Sequence, residues 1–87
     1  MIVTRNPATA WRVIGGEAVV LALDSKVLRG LNAVGSRIWE LIDGRRSTEE
    51  IAAQLVSEFE VDAARAREEV EAFVKVLLAK GLLTESR

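Results

Sequence analysis

The side chains available for chemistry in this chain are carboxylates, lysines and hydroxyls, because the sequence contains no Cys and no His. That removes disulfides, thiolate nucleophiles, the usual soft metal ligands and the commonest general base at neutral pH. The remaining groups form no nucleophile and base pair, no metal-ligand spacing and no glycine loop that could cradle phosphate. The sequence therefore predicts a protein that acts by binding, with no catalysis, metal or cofactor.

The charge pattern indicates which class of partner the protein binds. The formal charge is −1, and basic and acidic residues are interleaved along the chain. No broad field for nucleic acid or an anionic membrane is therefore expected, and Arg45 with Arg46 is too short for a nucleic-acid patch. A protein partner fits better. The N-terminus lacks a signal pattern and no apolar run approaches the ~20 residues of a spanning helix, which predicts a soluble, cytoplasmic protein without membrane contact.

A strand pattern occupies residues 11–31. In WRVIGGEAVVLALD, Gly15 and Gly16 separate two β-favouring runs and can adopt the positive φ angles of a two-residue hairpin turn. The second run is apolar at consecutive positions, which predicts a central strand buried on both faces. After the polar turn DSK, residues 27–31 form a third, shorter strand, whose charged residue and glycine favour the edge of the sheet.

Three helices follow, each with a recognisable N-cap. Asn32 caps the first, Ser47 with Glu50 forms a capping box for the second, and Asp62 caps the third and longest. The core stripes are Val34, Ile38, Leu41 and Ile42, then Ile51, Leu55 and Phe59, then Ala66, Val70, Phe73, Val74 and Leu77. Gly44 and Gly81 are expected to end the first and third helices. Trp39, beside the first stripe, is expected to be a core residue whose indole N–H finds a partner near the surface.

The order of elements predicts an α+β, winged helix-turn-helix-like fold: a three-stranded antiparallel sheet followed by three helices. The length suits one domain over residues 1–87, with an ordered core at about residues 11–83. The first few residues and residues 85–87 are expected to fray. The oligomeric state stays open, because the exposed hairpin and short hinges would permit a domain-swapped homodimer.

The sequence resembles a known family over about residues 11–83. The motifs are LN before the first helix, IWELIDG, STEEIA at the start of the second helix, and V-x-x-F-x-x-x-L-x-x-x-G-L-L ending at Leu83. They resemble the coenzyme PQQ synthesis protein D (PqqD-like) family, also called the RiPP precursor peptide recognition element. The resemblance implies an adaptor that binds the leader of a ribosomally made precursor peptide and presents it to a modifying enzyme. In the PQQ case this is a radical S-adenosylmethionine enzyme, but the product, whether PQQ, a lasso peptide or another modified peptide, stays open.

The resemblance also implies that the leader adds as a strand to the third strand, in a groove beside the third helix. The open backbone of Val27, Leu28, Arg29, Gly30 and Leu31 suits such β-augmentation. Each new hydrogen bond nets roughly 0.5–1.5 kcal/mol and ordering each peptide residue costs about 1–2 kcal/mol, so side chains must contribute. A helical projection around Val70 predicts that one flank contributes Arg67, Glu71, Val74, Lys75 and Leu78. Glu71 and Lys75 also have the spacing of a solvated ion pair.

A winged-helix DNA-binding protein is the alternative that the architecture permits. The charge disfavours it, because phosphate neutralisation usually needs several clustered Lys or Arg side chains and the helix that would read DNA is acidic.

Overall fold

The structure is a computed structural model and describes residues 1–86. Its elements are β1 (Ile2–Arg5), β2 (Thr9–Ile14), β3 (Glu17–Ala22), β4 (Val27–Gly30), α1 (Ala33–Leu41), α2 (Thr48–Glu58), α3 (Ala63–Ala79) and β5 (Leu83–Ser86). The predicted α+β class is confirmed, since an antiparallel sheet of order β2-β3-β4 precedes three helices. A second sheet, formed by β1 and β5, was not predicted.

The three-stranded sheet follows the predicted hairpin and places β3 at its centre. Gly15 and Gly16 turn the chain with φ angles of 60° and 84°. The prediction that β3 is buried on both faces is wrong, because the buried residues Ala18, Val20 and Ala22 alternate with half-buried ones. The core is covered by helices on one face of the sheet, so only alternate side chains of β3 are fully enclosed.

The two ends of the chain pair with each other. β1 and β5 run antiparallel, with partners from Ile2 with Ser86 to Arg5 with Leu83. The first residues and residues 85–86, which the sequence predicts to fray, are paired as strands here. Arg87 lies outside the described residues. Val3 of β1 and Leu83 of β5 are buried in the core, which gives this pair the apolar burial that a short two-stranded sheet needs.

The predicted helix caps are confirmed. Asn32 Oδ1 accepts from the Gly35 N–H at 2.8 Å, and Asp62 Oδ1 accepts from the Arg65 N–H at 2.8 Å. Ser47 and Glu50 form the reciprocal capping box at the start of α2. These side chains satisfy backbone donors that helices otherwise leave unpaired, so each helix starts where its cap stands in the sequence.

Trp39 is a core residue, as predicted, and is fully buried. The ring of Trp11 on β2 meets it edge to face, with the centroids 6.1 Å apart, and the Arg5 guanidinium lies 5.0 Å from the Trp11 centroid. The prediction of a partner for the indole N–H is wrong, because Nε1 is buried and has no hydrogen-bond acceptor among residues 1–86. The ring is fully enclosed, and no acceptor of the described residues lies within hydrogen-bonding distance of this nitrogen.

Candidate functional site: a groove beside an edge strand

A groove of about 280 Å³ separates β4 from α3, and the start of α1 forms its floor. The lining residues are Arg29 and Gly30 from the end of β4, Leu31 and Asn32 from the link to α1, Val34, Gly35 and Ile38 from α1, and Glu69, Ala72, Phe73, Val76 and Leu77 from α3. Most of these side chains are apolar. The groove can therefore bury apolar side chains of a ligand that lies along β4.

The outer edge of β4 is open in the described part of the chain, because the sheet order ends at this strand. The Leu31 N–H donates to the Ala18 carbonyl at 2.8 Å, which directs the backbone of residue 31 toward β3. Backbone direction alternates along an antiparallel strand, so the N–H and C=O groups of Leu28 and Gly30 point away from β3. These groups can hydrogen-bond to an extended chain beside β4.

The side chains of β4 alternate between the two faces of the sheet. Arg29 pairs with the buried Val20, and Leu28 pairs with Leu21 on the opposite face. Leu28 is 67% exposed. Of the five predicted strand residues, Arg29, Gly30 and Leu31 line the groove, whereas the side chains of Val27 and Leu28 do not.

The five residues predicted on α3 lie elsewhere. Glu71, Val74, Lys75 and Leu78 line a separate depression with Met1, Thr48 and Glu49, and Arg67 lines another against α2. None of the five lines the groove beside β4. A helical projection shows two flanks beside the core stripe of α3. The five predicted residues lie on one flank, and β4 lies beside the other. Among residues 1–86, Glu71 and Lys75 also form no ion pair.

Gly35 and Ser36 hold α1 against the sheet and α3. A Cβ at Gly35 would lie 3.3 Å from the ring of Phe73, so this close approach favours glycine. The buried Ser36 hydroxyl accepts from the Ala18 N–H at 2.6 Å and donates to the Leu31 carbonyl at 3.3 Å. One hydroxyl thus ties β3 and the end of β4 to α1, which fixes the floor of the groove.

Polar side chains in the groove are Arg29, Asn32 and Glu69. Asn32 is engaged in its cap, and Glu69 Oε1 accepts from Arg65 Nε at 3.1 Å. Arg29 Nε is buried without a hydrogen-bond partner among residues 1–86. The groove therefore contains one polar side chain whose bonding capacity is not met.

Elsewhere, several arginines are already paired with carboxylates. Arg37 donates from Nε and Nη2 to the two carboxylate oxygens of Glu58, at 2.7 and 2.8 Å, which together with Gln54 lowers the pKa of Glu58 to about 2. The backbone N–H groups of Arg46 and Arg45 lower the pKa of Asp43. Such internal pairing leaves fewer cations to neutralise a phosphate backbone, and nothing here favours DNA binding.

Residues 1–86 contain no acidic cluster arranged to hold a metal ion. In the same residues, no helix is both long enough and apolar enough to span a membrane.

Solved structures contain the same fold. TbiB1 in complex with the TbiA(beta) leader peptide superposes with a TM-score of 0.88 at 32% identity, covering 97% of this chain and 98% of that one. Lasso peptide synthetase B1 complexed with its leader peptide gives a TM-score of 0.86 at 22% identity, with 98% and 100% covered. The heterocyclase TruD, with a TM-score of 0.67 at 18% identity, shares the fold over 95% of this chain but only 11% of its own.

The fold thus occurs both in chains of about this length and as a small part of a longer chain. The chain belongs to the coenzyme PQQ synthesis protein D (PqqD) family, whose profile matches residues 17–83. This confirms the resemblance seen in the sequence. No curated protein sequence matches the chain.

Proposed function

We propose that this protein binds the leader of a ribosomally made precursor peptide as an added strand on β4 and presents the precursor to a modifying enzyme. The observation that carries the proposal is the open edge of β4 beside a groove lined mainly by apolar side chains. Family membership and the leader peptides bound by TbiB1 and the lasso peptide synthetase support it.

The backbone of β4 supplies register but little net affinity. Leu28 and Gly30 offer four backbone groups, and each hydrogen bond contributes about 0.5–1.5 kcal/mol. Ordering each leader residue costs about 1–2 kcal/mol, so a bound segment of several residues consumes that gain. Apolar leader side chains must therefore bury themselves against Leu31, Phe73 and Val76, at about 1.5–3 kcal/mol for each side chain fully buried.

A bound leader would present the rest of the precursor to the enzyme because the two parts are covalently tethered. A leader held on β4 keeps the attached core peptide near any enzyme that docks with this protein, which raises its effective concentration at the active site. The heterocyclases support this idea, since a domain of this fold makes up about 11% of each of those chains. A non-catalytic role is part of the proposal. A radical S-adenosylmethionine partner, a homodimer and a cytoplasmic location stay predictions.

Strand addition is tested by removing one outward N–H. Leu28→Pro deletes a donor on the open edge of β4 and crowds the added strand, and a proline is tolerated at an edge position that faces away from the sheet. Val13→Pro is the matched control on the open edge of β2, because the bond from the Leu23 N–H to the Ala8 carbonyl places the Val13 N–H outward by the same alternation.

The probes are labelled TbiA(beta) leader and the leaders of short peptides encoded beside the gene, and binding is followed by fluorescence anisotropy. We expect Leu28→Pro to weaken binding about tenfold or more, the loss of roughly one hydrogen bond plus a steric clash, while Val13→Pro binds as the wild type does. Equal binding by both variants, with folding verified by circular dichroism, would rule out addition to β4.

A further inference from the structure

The polar side chains of the groove indicate which kind of leader side chain would bind there. We propose that Arg29 selects leaders that carry an Asp or Glu side chain directly opposite it on the added strand. This inference rests on the proposed function, because it assumes that the ligand is an extended peptide along β4.

The first support is the state of the polar side chains that line the groove. Asn32 uses its side-chain oxygen to cap α1, and the Glu69 carboxylate is bound to Arg65, one turn earlier on α3. Glu69 therefore does not neutralise Arg29. Among residues 1–86, Arg29 takes part in no ion pair, and its Nε is buried with no acceptor. A buried donor without a partner is costly, and because the Arg29 side chain as a whole is only half-buried, a ligand that reorients it can supply an acceptor.

The direction of the Arg29 side chain decides which part of the leader supplies the acceptor. Side chains stand roughly perpendicular to a sheet, whereas the carbonyls of an added strand lie in its plane. Arg29 projects on the groove face, beside Val20. It therefore meets leader side chains that project on the same face, and the leader backbone is engaged by Leu28 and Gly30.

The register brings one leader residue close. Because the backbones of Leu28 and Gly30 point outward and that of Arg29 points to β3, an antiparallel leader would face Arg29 at a non-hydrogen-bonded position. At such positions opposing Cα atoms lie only about 4.5 Å apart and their side chains are in contact. One position of the leader, rather than its total charge, is then selected.

A carboxylate is the acceptor that fits best. The guanidinium presents a planar fork of donors that matches the two oxygens of a carboxylate. Leu31, Phe73 and Val76 line the same groove, and a leader that covers their apolar surface would lower the local dielectric and strengthen a charged pair. A lysine at the same leader position would face the guanidinium as an uncompensated like charge.

The test is a selection of random extended peptides displayed on phage, carried out with the full chain. Wild type, Arg29→Glu and Arg12→Glu are used, and only peptides whose binding is lost with Leu28→Pro are counted. Arg12 is the matched control: it is an exposed arginine on β2, outside the groove, so its reversal changes the net charge equally.

We expect Asp or Glu to be enriched at one position of peptides selected by wild type and by Arg12→Glu, and Lys or Arg at that position with Arg29→Glu. In purified peptides, exchanging Glu for Lys there should weaken wild-type binding about tenfold or more. Peptides that require the β4 edge but show no acidic position, or whose preference survives Arg29→Glu, overturn this inference and leave the proposed function standing. A selection that yields no peptide sensitive to Leu28→Pro overturns both.

Discussion

At the scale of single residues, the Ser36 hydroxyl links α1 to β3 and to Leu31. It is the one buried polar side chain of the core in residues 1–86, and it bonds both to the start of β3 and to Leu31. The Ala18 N–H donates to this hydroxyl at the end of the sheet, where no neighbouring strand among the described residues offers another acceptor. A small side chain thus joins the strand that carries the site to the helix below it.

Ser36→Ala should lower the free energy of unfolding by about 1–3 kcal/mol, because it leaves the buried Ala18 N–H without a partner. Ser57→Ala is the control, since the Ser57 hydroxyl bonds only to the Gln54 carbonyl on the exposed side of α2. Urea denaturation followed by circular dichroism measures both. Equal stability of the two variants would contradict the role given to Ser36.

The pair of Arg37 and Glu58 connects α1 to α2 and makes a prediction about pH. Hydrogen bonds from Arg37, and then from Gln54, lower the pKa of Glu58 from 4.5 to about 2. The unfolded chain, with the ordinary pKa, binds a proton first as the pH falls. The stabilisation is therefore complete above pH 4.5 and is lost as the pH falls toward 2.

Arg37→Gln should return the pKa of Glu58 toward its ordinary value and reduce this acid-dependent part of the stability. Carbon-detected NMR of the side-chain carboxylates reads the titration directly. Arg45→Gln removes the same charge in the turn after α1, away from Glu58, and should leave that titration unchanged. A Glu58 pKa near 4.5 in the wild type would show that the pair does not form in solution.

At the scale of elements, caps and turns were predictable from the sequence because each is a local signal. Asn32, Ser47 and Asp62 mark their helices with residues only three positions away. The pairing of β1 with β5 was not predictable in this way, because each strand has four residues and the partners lie at opposite ends of the chain. The energy of such a pair comes from tertiary burial, which no short window of sequence contains.

The third helix shows a different limit. Periodicity identifies its buried stripe, but the flanks on either side are mixtures of charged and apolar residues, and periodicity alone does not say which flank meets the sheet. Phe73 and Val76 were the available signal, since these apolar side chains extend the stripe toward the flank that the groove occupies. Leu78 extends the other flank in the same way, so the sequence left the choice open.

Val76→Asp should weaken leader binding about tenfold or more, because it places a carboxylate in the apolar wall of the groove. Val56→Asp is a close control: Val56 is 39% exposed on α2 and Val76 is 38% exposed on α3. Anisotropy titrations with the same leader measure both variants. Lys75→Glu tests the opposite flank of α3, and a larger loss there than at Val76 would return the site to the residues first predicted.

At the scale of the whole molecule, the helices and the paired chain ends of residues 1–86 leave the edge of β4 open. The helices cover one face of the sheet, the ends of the chain are paired in a second sheet, and β4 keeps an open edge beside the groove. The near-neutral charge and the internal pairing of arginines such as Arg37 and Arg46 suit capture of a peptide better than capture of nucleic acid. The fold class could thus be predicted from the motifs, whereas the side of α3 that faces β4 required three dimensions.

The most direct test of the central claim is a backbone-amide NMR titration of the labelled protein with the leader of a short peptide encoded beside its gene. Strand addition predicts saturable shifts at residues 28–31 and along the groove flank of α3, at Glu69, Phe73 and Val76, with slowed hydrogen exchange of the Leu28 and Gly30 amides. Shifts confined to other surfaces, or unchanged exchange at those two amides when the leader is saturating, would contradict the claim that β4 receives the leader.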